Sequence, residues 1–258
     1  MSDIILETRS LTKHYGGIRA LEGANFVLRK GEHVAIMGDN GAGKSTFVRQ
    51  ITGVERPTRG EIIFDGNPVS FAGPLEAREA GIETVFQTLA LADDLNVPDN
   101  LFLGREKILF NLGPFSILDY RGMREATLEG LRKTAVKIPN IKVTIRHMSG
   151  GQRQCVAIAR TATFHSKLTI MDEPTAALGV QETAQVENII RNLKEQGEPL
   201  ILVSHNMRQV FDLVDRIVVF RRGRIVANLR KEETDGQDVV AYITGAKTQP
   251  EYQAAAAA

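Results

Sequence analysis

Gly38-Asp39-Asn40-Gly41-Ala42-Gly43-Lys44-Ser45-Thr46 fits the pattern GxxxxGK[ST], and the ligand such a run can hold is a chain of phosphates. Glycines 38, 41 and 43 let backbone N–H groups turn inward, and the helix that follows aims the positive end of its dipole at the same point. Lys44 then reaches the outer phosphates and Ser45 ligates Mg²⁺. A second group closes Leu168-Thr169-Ile170-Met171-Asp172-Glu173-Pro174, an apolar strand delivering two adjacent carboxylates. Neighbouring strand residues face opposite ways, so the pair can share one task only if the strand has already turned. Asp172 suits the metal, and Glu173 suits polarising the water that attacks the γ-phosphate. Gln87 and His205 also follow apolar runs, at the strand ends where open α/β sheets bind ligands, and Gln87 could hold Mg²⁺ or the attacking water. Ser149-Gly150-Gly151-Gln152 opens a helical run and has two readings, a second anion-binding helix end or a serine N-cap with flexible glycines. Tyr15 likewise reads as a half-exposed strand tyrosine or as a ring laid against adenine.

These residues need elements to hold them. The sequence predicts a buried strand over 33–37 and a helix over 44–51 around the glycine-rich loop. The β-rich pieces 4–8, 11–17 and 24–29 predict a small antiparallel sheet that continues at 61–66. A second buried strand is predicted over 81–87. From 95 to 148 the pattern changes: Pro98-Asp99-Asn100 resembles a helix start, 111–114 a loop, and 122–137 a helix with apolar Ala126, Leu128, Leu131, Ala135 and Val136. Helices are predicted over 153–164 and around Val186, Ile189, Ile190 and Leu193, then a strand over 199–203 and a hairpin turning at Gly223. No period of about 20–50 residues repeats. The expected organisation is one domain over 1–245 with a helical subdomain inserted at about 95–160, and a disordered tail over 246–258 ending in alanines.

Composition sets outer bounds. A chain of 258 residues that is 43% hydrophobic can bury a good core. Lys plus Arg number 32 against 31 Asp plus Glu, so a formal charge of +1 gives no general pull towards nucleic acid, which is not expected as a partner. A lone cysteine, Cys155, excludes an intrachain disulfide framework, and the N-terminus lacks the order of a secretion signal, so the cytoplasm is the expected compartment. The longest aliphatic runs fall well short of the roughly 20 residues that cross a bilayer, so a membrane role is expected to come through a partner.

Taken together, Tyr15, GDNGAGKST at 38–46, Gln87, MSGGQ at 148–152, IMDEP at 170–174 and His205 resemble, in order and spacing, the nucleotide-binding subunits of ABC transporters. The resemblance spans about residues 3–245. Residues 80–87, 100–106 and 174–179 are similar to the bacterial monosaccharide-import branch, and the sugar so implied is fructose. The implied fold is α/β, a P-loop NTPase (RecA-like) core with an N-terminal antiparallel β subdomain and an inserted α-helical subdomain. The implied activity is ATP hydrolysis with ATP and Mg²⁺. The resemblance further implies a homodimer with ATP at the interface, in which Ser149, Gly150, Gly151 and Gln152 of one copy cover the phosphate loop of the other. Gln87 and the helical insert would relay closure to integral membrane permease subunits at the cytoplasmic face of the inner membrane, with a periplasmic sugar-binding protein involved indirectly. Gly179 stands where many transport ATPases place an aspartate, and Thr88 stands where an acidic residue is common. A soluble ATPase of the same superfamily that drives iron–sulfur cluster assembly is the alternative. A DNA-repair or ribosome-associated ATPase needs a coiled-coil insertion or a second module with a basic linker, and this sequence has neither.

Overall fold

A computed structural model of the chain describes residues 3–112, 115–134, 136, 138–164 and 166–253. Gly113 and Pro114 of the expected loop, Ala135 and Lys137 of the expected helix, and the terminal alanines 254–258 lie outside the described residues. The chain forms two compact units, one of Met1–Thr84, Lys167–Glu173 and Lys194–Ala258, the other of Val85–Ser166 and Pro174–Leu193.

The first unit begins with β1 (Ile4–Tyr15), β2 (Ile18–Arg29), β3 (His33–Gly38), α1 (Lys44–Ile51), β4 (Arg59–Phe64), β5 (Asn67–Val69), α2 (Pro74–Ala80) and β6 (Ile82–Val85). The second contributes α3 (Val97–Phe102), β7 (Ile108–Leu112), β8 (Phe115–Leu118), α4 (Tyr120–Lys133) and α5 (Gly150–Thr163). Then follow β9 (Leu168–Asp172), α6 (Val180–Glu195), β10 (Leu200–Val203), α7 (Met207–Leu213), β11 (Arg216–Arg221), β12 (Arg224–Arg230), α8 (Gly236–Thr244) and α9 (Pro250–Gln253).

Two sheets build the first unit, an antiparallel one in the order β2-β1-β4-β5 and a six-stranded one in the order β12-β11-β3-β10-β9-β6. In the second, β3, β10 and β9 are parallel neighbours, and every residue of β10 is buried, as an aliphatic strand covered on both faces requires. Residues 4–8 and 11–15 lie in one strand, and Gly16-Gly17 form the glycine-bearing turn into β2. Ser10, at φ 48° and with its N–H donating to Asn25 Oδ1 at 2.7 Å, carries the register shift that breaks the apolar alternation. Phe47 of α1 ties the loop helix to both sheets, its ring centroid 5.3 Å from that of Phe26 in β2 and 5.4 Å from that of Phe220 in β11. This aromatic core, rather than the short helix itself, fixes where the glycine-rich loop points.

In the second unit α4 packs on α5, and Asn96 and Asp119 cap α3 and α4. Asn111 and Leu112, expected in a loop within a helical region, instead belong to β7, which pairs with β8 in a two-stranded ribbon. Its β-branched and aromatic residues favour strand, and the turn signal alone concealed them. Cys155 is buried, and burial pushes its thiol up to about 11. The tail expected from 246 is ordered through 253: the Gln249 N–H donates to Val226 O at 3.2 Å, its Oε1 accepts from the Asn228 N–H at 2.8 Å, and Tyr252 packs against the core.

Candidate functional site

The loop between β3 and α1 is shaped by close backbone approach. Gly38 has φ 149°, and a Cβ there would stand 2.3 Å from Phe220 O; Gly43 has φ 104°, and its Cβ would stand 2.8 Å from Ala20 O. Only glycine fits either place. The turn of the β11–β12 hairpin is strapped onto the loop, with the Gly223 N–H donating to Ala42 O at 2.9 Å and the Glu22 N–H donating to Gly223 O at 2.7 Å. Between the loop and these neighbours lies a cavity of about 400 Å³ lined by residues 40–46 together with Ile18, Arg19, Ala20, Arg222 and Gly223. The Lys44 ammonium folds over the loop, donating to Gly38 O at 2.7 Å and Asp39 O at 3.0 Å. Burial holds Lys44 below the ordinary lysine range, against the opposing pull of Glu173, Asp172 and Asp39. Gly43 precedes α1 with no side-chain cap, so the first N–H groups of the helix face the cavity's loop without a protein side chain on them.

The carboxylates stand at the ends of neighbouring parallel strands. Asp172 closes β9 level with Val203 of β10, which is level with Ile36 of β3, so the three carboxyl ends align beside the glycine-rich loop. The question of opposed strand faces is resolved by the backbone: Glu173 has left the strand at φ 51°, its N–H donating to Val203 O at 2.8 Å. Its Oε1 lies 2.8 Å from His205 Nδ1, so two of the sequence candidates meet directly. Burial first, and then the charge of Glu173, pushes the Asp172 carboxyl above the ordinary carboxylate range, while Lys44 and Arg49 oppose the shift.

The remaining candidates are placed differently. The strand expected through Gln87 ends at Val85; a turn begins at Phe86, whose carbonyl accepts from the Leu89 N–H at 2.9 Å, and Gln87 is exposed in the second unit. Leu89 and Ala90, both at positive φ, mark why the strand stops early. Ser149 is the N-cap of α5 in a reciprocal capping box with Gln152: its Oγ accepts from the Gln152 N–H at 3.2 Å, and its own N–H donates to Gln152 Oε1 at 3.0 Å. Capping uses a lone pair and leaves the hydroxyl proton for an anion, so the two readings of this segment are compatible. Gly151 is tightly enclosed, since a Cβ there would stand 2.1 Å from Glu182 Cγ, and Gly150 is exposed. Tyr15 donates its hydroxyl to Glu55, which also pairs with Arg49 and Lys13. Its cross-strand partner Ile18, 69% exposed, lines the cavity, so the tip of the β1–β2 hairpin offers an apolar edge there. Sequence reading missed Ile18, Arg19, Arg222 and Gly223. Their only signals were the glycine turns at 16–17 and 223, which read as plain hairpins.

A glycine-rich loop opening a helix beside strand-end carboxylates defines a phosphate-loop nucleotide-binding cassette. The family model described as ABC transporter matches residues 21–176, and the chain belongs to that family as an ATP-binding, ATP-hydrolysing cassette. It is 46% identical to the fructose import ATP-binding protein FrcA of Rhizobium meliloti, over 95% of this chain and 96% of that protein. It is 42% identical to the xylose/arabinose import ATP-binding protein XylG of Sulfolobus acidocaldarius, over 95% of each. A dimeric ATP-binding cassette solved in a post-hydrolysis state bound to ADP and Pi superposes with a TM-score of 0.75 at 26% identity, covering 88% of this chain and 99% of that one.

Proposed function

We propose that this chain is the ATP-hydrolysing subunit of a monosaccharide importer, acting as a homodimer on integral membrane permease subunits, with fructose as the favoured sugar. The observation that carries the reading is the convergence, in one unit, of the 38–46 loop with Asp172, Glu173 and His205 at aligned strand ends. The sugar rests on the names of the relatives, which are import proteins for fructose and for xylose or arabinose. The soluble iron–sulfur alternative draws no support from them.

In this reading the loop amides of Gly38, Asp39, Asn40, Gly41, Ala42 and Gly43 cradle the phosphates with Thr46 at the helix start, and Lys44 leaves its two carbonyls for the outer phosphates. Glu173 accepts a proton from the attacking water, and His205 holds the carboxylate in place. Ile18 and the Tyr15 ring support the adenine. A hydroxyl and a half-buried carboxylate beside a second carboxylate form a hard-oxygen donor set. Mg²⁺ fits that set and would be held by Ser45 and Asp172, where it would neutralise charge on the phosphates, while Gln87 lies in the other unit. Ser149, Gly150, Gly151 and Gln152 lie in the other unit and serve the partner copy's nucleotide, as the dimeric relative supports. Among the described residues no helix is long and apolar enough to cross a membrane, so the permease would supply the pore, at the cytoplasmic face and downstream of a periplasmic binding protein. Uptake of labelled fructose, ribose and xylose in a strain lacking this gene tests the reading. Fructose uptake should be lost, and should return with the parent chain but not with Glu173→Gln; unchanged uptake of all three sugars would overturn it.

A further inference from the structure

Three charged residues line the cavity beside the phosphate loop, Lys44, Arg19 and Arg222, and no carboxylate joins them there. Glu22 and Asp39, close in sequence, stand outside the lining and are engaged: Glu22 Oε2 lies 2.9 Å from His14 Nε2, and Asp39 Oδ1 accepts from the Asn40 N–H at 3.0 Å. Neither Arg19 nor Arg222 has a side-chain hydrogen bond or salt bridge among the described residues, and both are exposed. Only Lys44 has a role so far.

The backbone makes Arg222 a costly choice for its position. Pairing of β11 with β12 runs up to Arg221 and Arg224, so Arg222 and Gly223 form a two-residue turn, at φ 47° and 76°. Two positive φ values in a two-residue hairpin turn are the type I′ signature, which favours asparagine or glycine over a long L side chain at its first position. The strained arginine therefore sits on the same turn that is strapped to Ala42 of the phosphate loop. Arg19 arrives from the β1–β2 hairpin, and its carbonyl lies 3.2 Å from where Gly223 would carry a Cβ, so both arginines flank one point of the cavity wall. Arg19 also directly follows Ile18, the apolar edge of that cavity.

We propose that Arg19 and Arg222 clasp the α- and β-phosphates of the bound nucleotide, between the adenine edge at Ile18 and the outer phosphate reached by Lys44, and so set the affinity for ATP and ADP alike. The inference rests on the placement of the nucleotide along the 38–46 loop given above. Calorimetric titration of the full chain with ATP and with ADP, in EDTA to prevent turnover, tests it. Arg19→Gln and Arg222→Asn should each weaken binding about tenfold, by factors for ATP and ADP that agree within about twofold. Arg222→Lys should lose less. Because asparagine suits the turn, Arg222→Asn should unfold in urea no earlier than the parent, which separates a lost phosphate contact from a damaged hairpin. Unchanged affinity in both single variants would overturn the proposal, as would a loss confined to ATP or a loss in Arg222→Asn accompanied by an earlier urea midpoint. A parent chain that bound neither nucleotide would overturn the placement itself.

Discussion

Glu173 and His205 meet at 2.8 Å on a backbone turned to φ 51°, which lets two adjacent acidic residues do different work. Glu173→Gln keeps the shape and removes the proton acceptor, so hydrolysis should fall by about 10²–10⁴-fold while ATP affinity, read by nucleotide titration, stays near that of the parent. Normal turnover in that variant would remove the proposed role. Gly38 permits a simpler test. A methyl group at 2.3 Å from Phe220 O must displace backbone, so Gly38→Ala should lose nucleotide binding and about 1–3 kcal/mol of stability in urea unfolding. His33 gives the chain a pH dependence away from the site. Its Nε2–H donates to Glu198 O at 3.0 Å, and burial lowers its pKa to about 4 from 6.5. The folded pKa is depressed, so the unfolded chain binds the proton first; the stability His33 supplies is whole above pH 6.5 and is lost as pH falls towards 4. The loss should be about 3 kcal/mol in urea unfolding, and His33→Leu should flatten that part of the profile.

At the scale of elements, α1 is short, and what holds it is Phe47 between Phe26 and Phe220. Phe47→Ala should cost about 3–5 kcal/mol in urea unfolding and weaken nucleotide binding with it. The bounds of α1 were legible because a glycine start and apolar periodicity coincide, and β3 and β10 were legible because unbroken aliphatic runs between turns admit little else. Other features depend on contacts between residues far apart in the chain. The strap from Gly223 to Ala42 and the lining by Ile18 join hairpins that local pattern cannot place beside the loop. Gln87 was read as a strand end because Phe86 continues the apolar run, whereas the turn closed by Leu89 begins one residue earlier. At 108–118 the glycine and proline were read and the strand residues on either side of them were not. For Ser149 both readings were available from sequence, and the capping box shows why neither excludes the other.

For the whole molecule, the two helix starts proposed to bind anions fall in separate units, the 38–46 loop in one and Ser149 in the other. In the proposed dimer each ATP is enclosed by the loop of one copy and the Ser149 helix start of its partner, so loss of the γ-phosphate loosens the pair. Ser149→Arg should leave nucleotide binding to a single copy intact while plateau hydrolysis falls about a hundredfold, because a long cation replaces the small hydroxyl at the interface. The most direct measurement is the specific ATPase rate of the parent chain across protein concentration, taken with sedimentation of Glu173→Gln in ATP. The account predicts a rate that climbs to a plateau and a variant that sediments at twice the chain mass with ATP but not with ADP. A constant specific rate from a species that stays at the mass of one chain would contradict it.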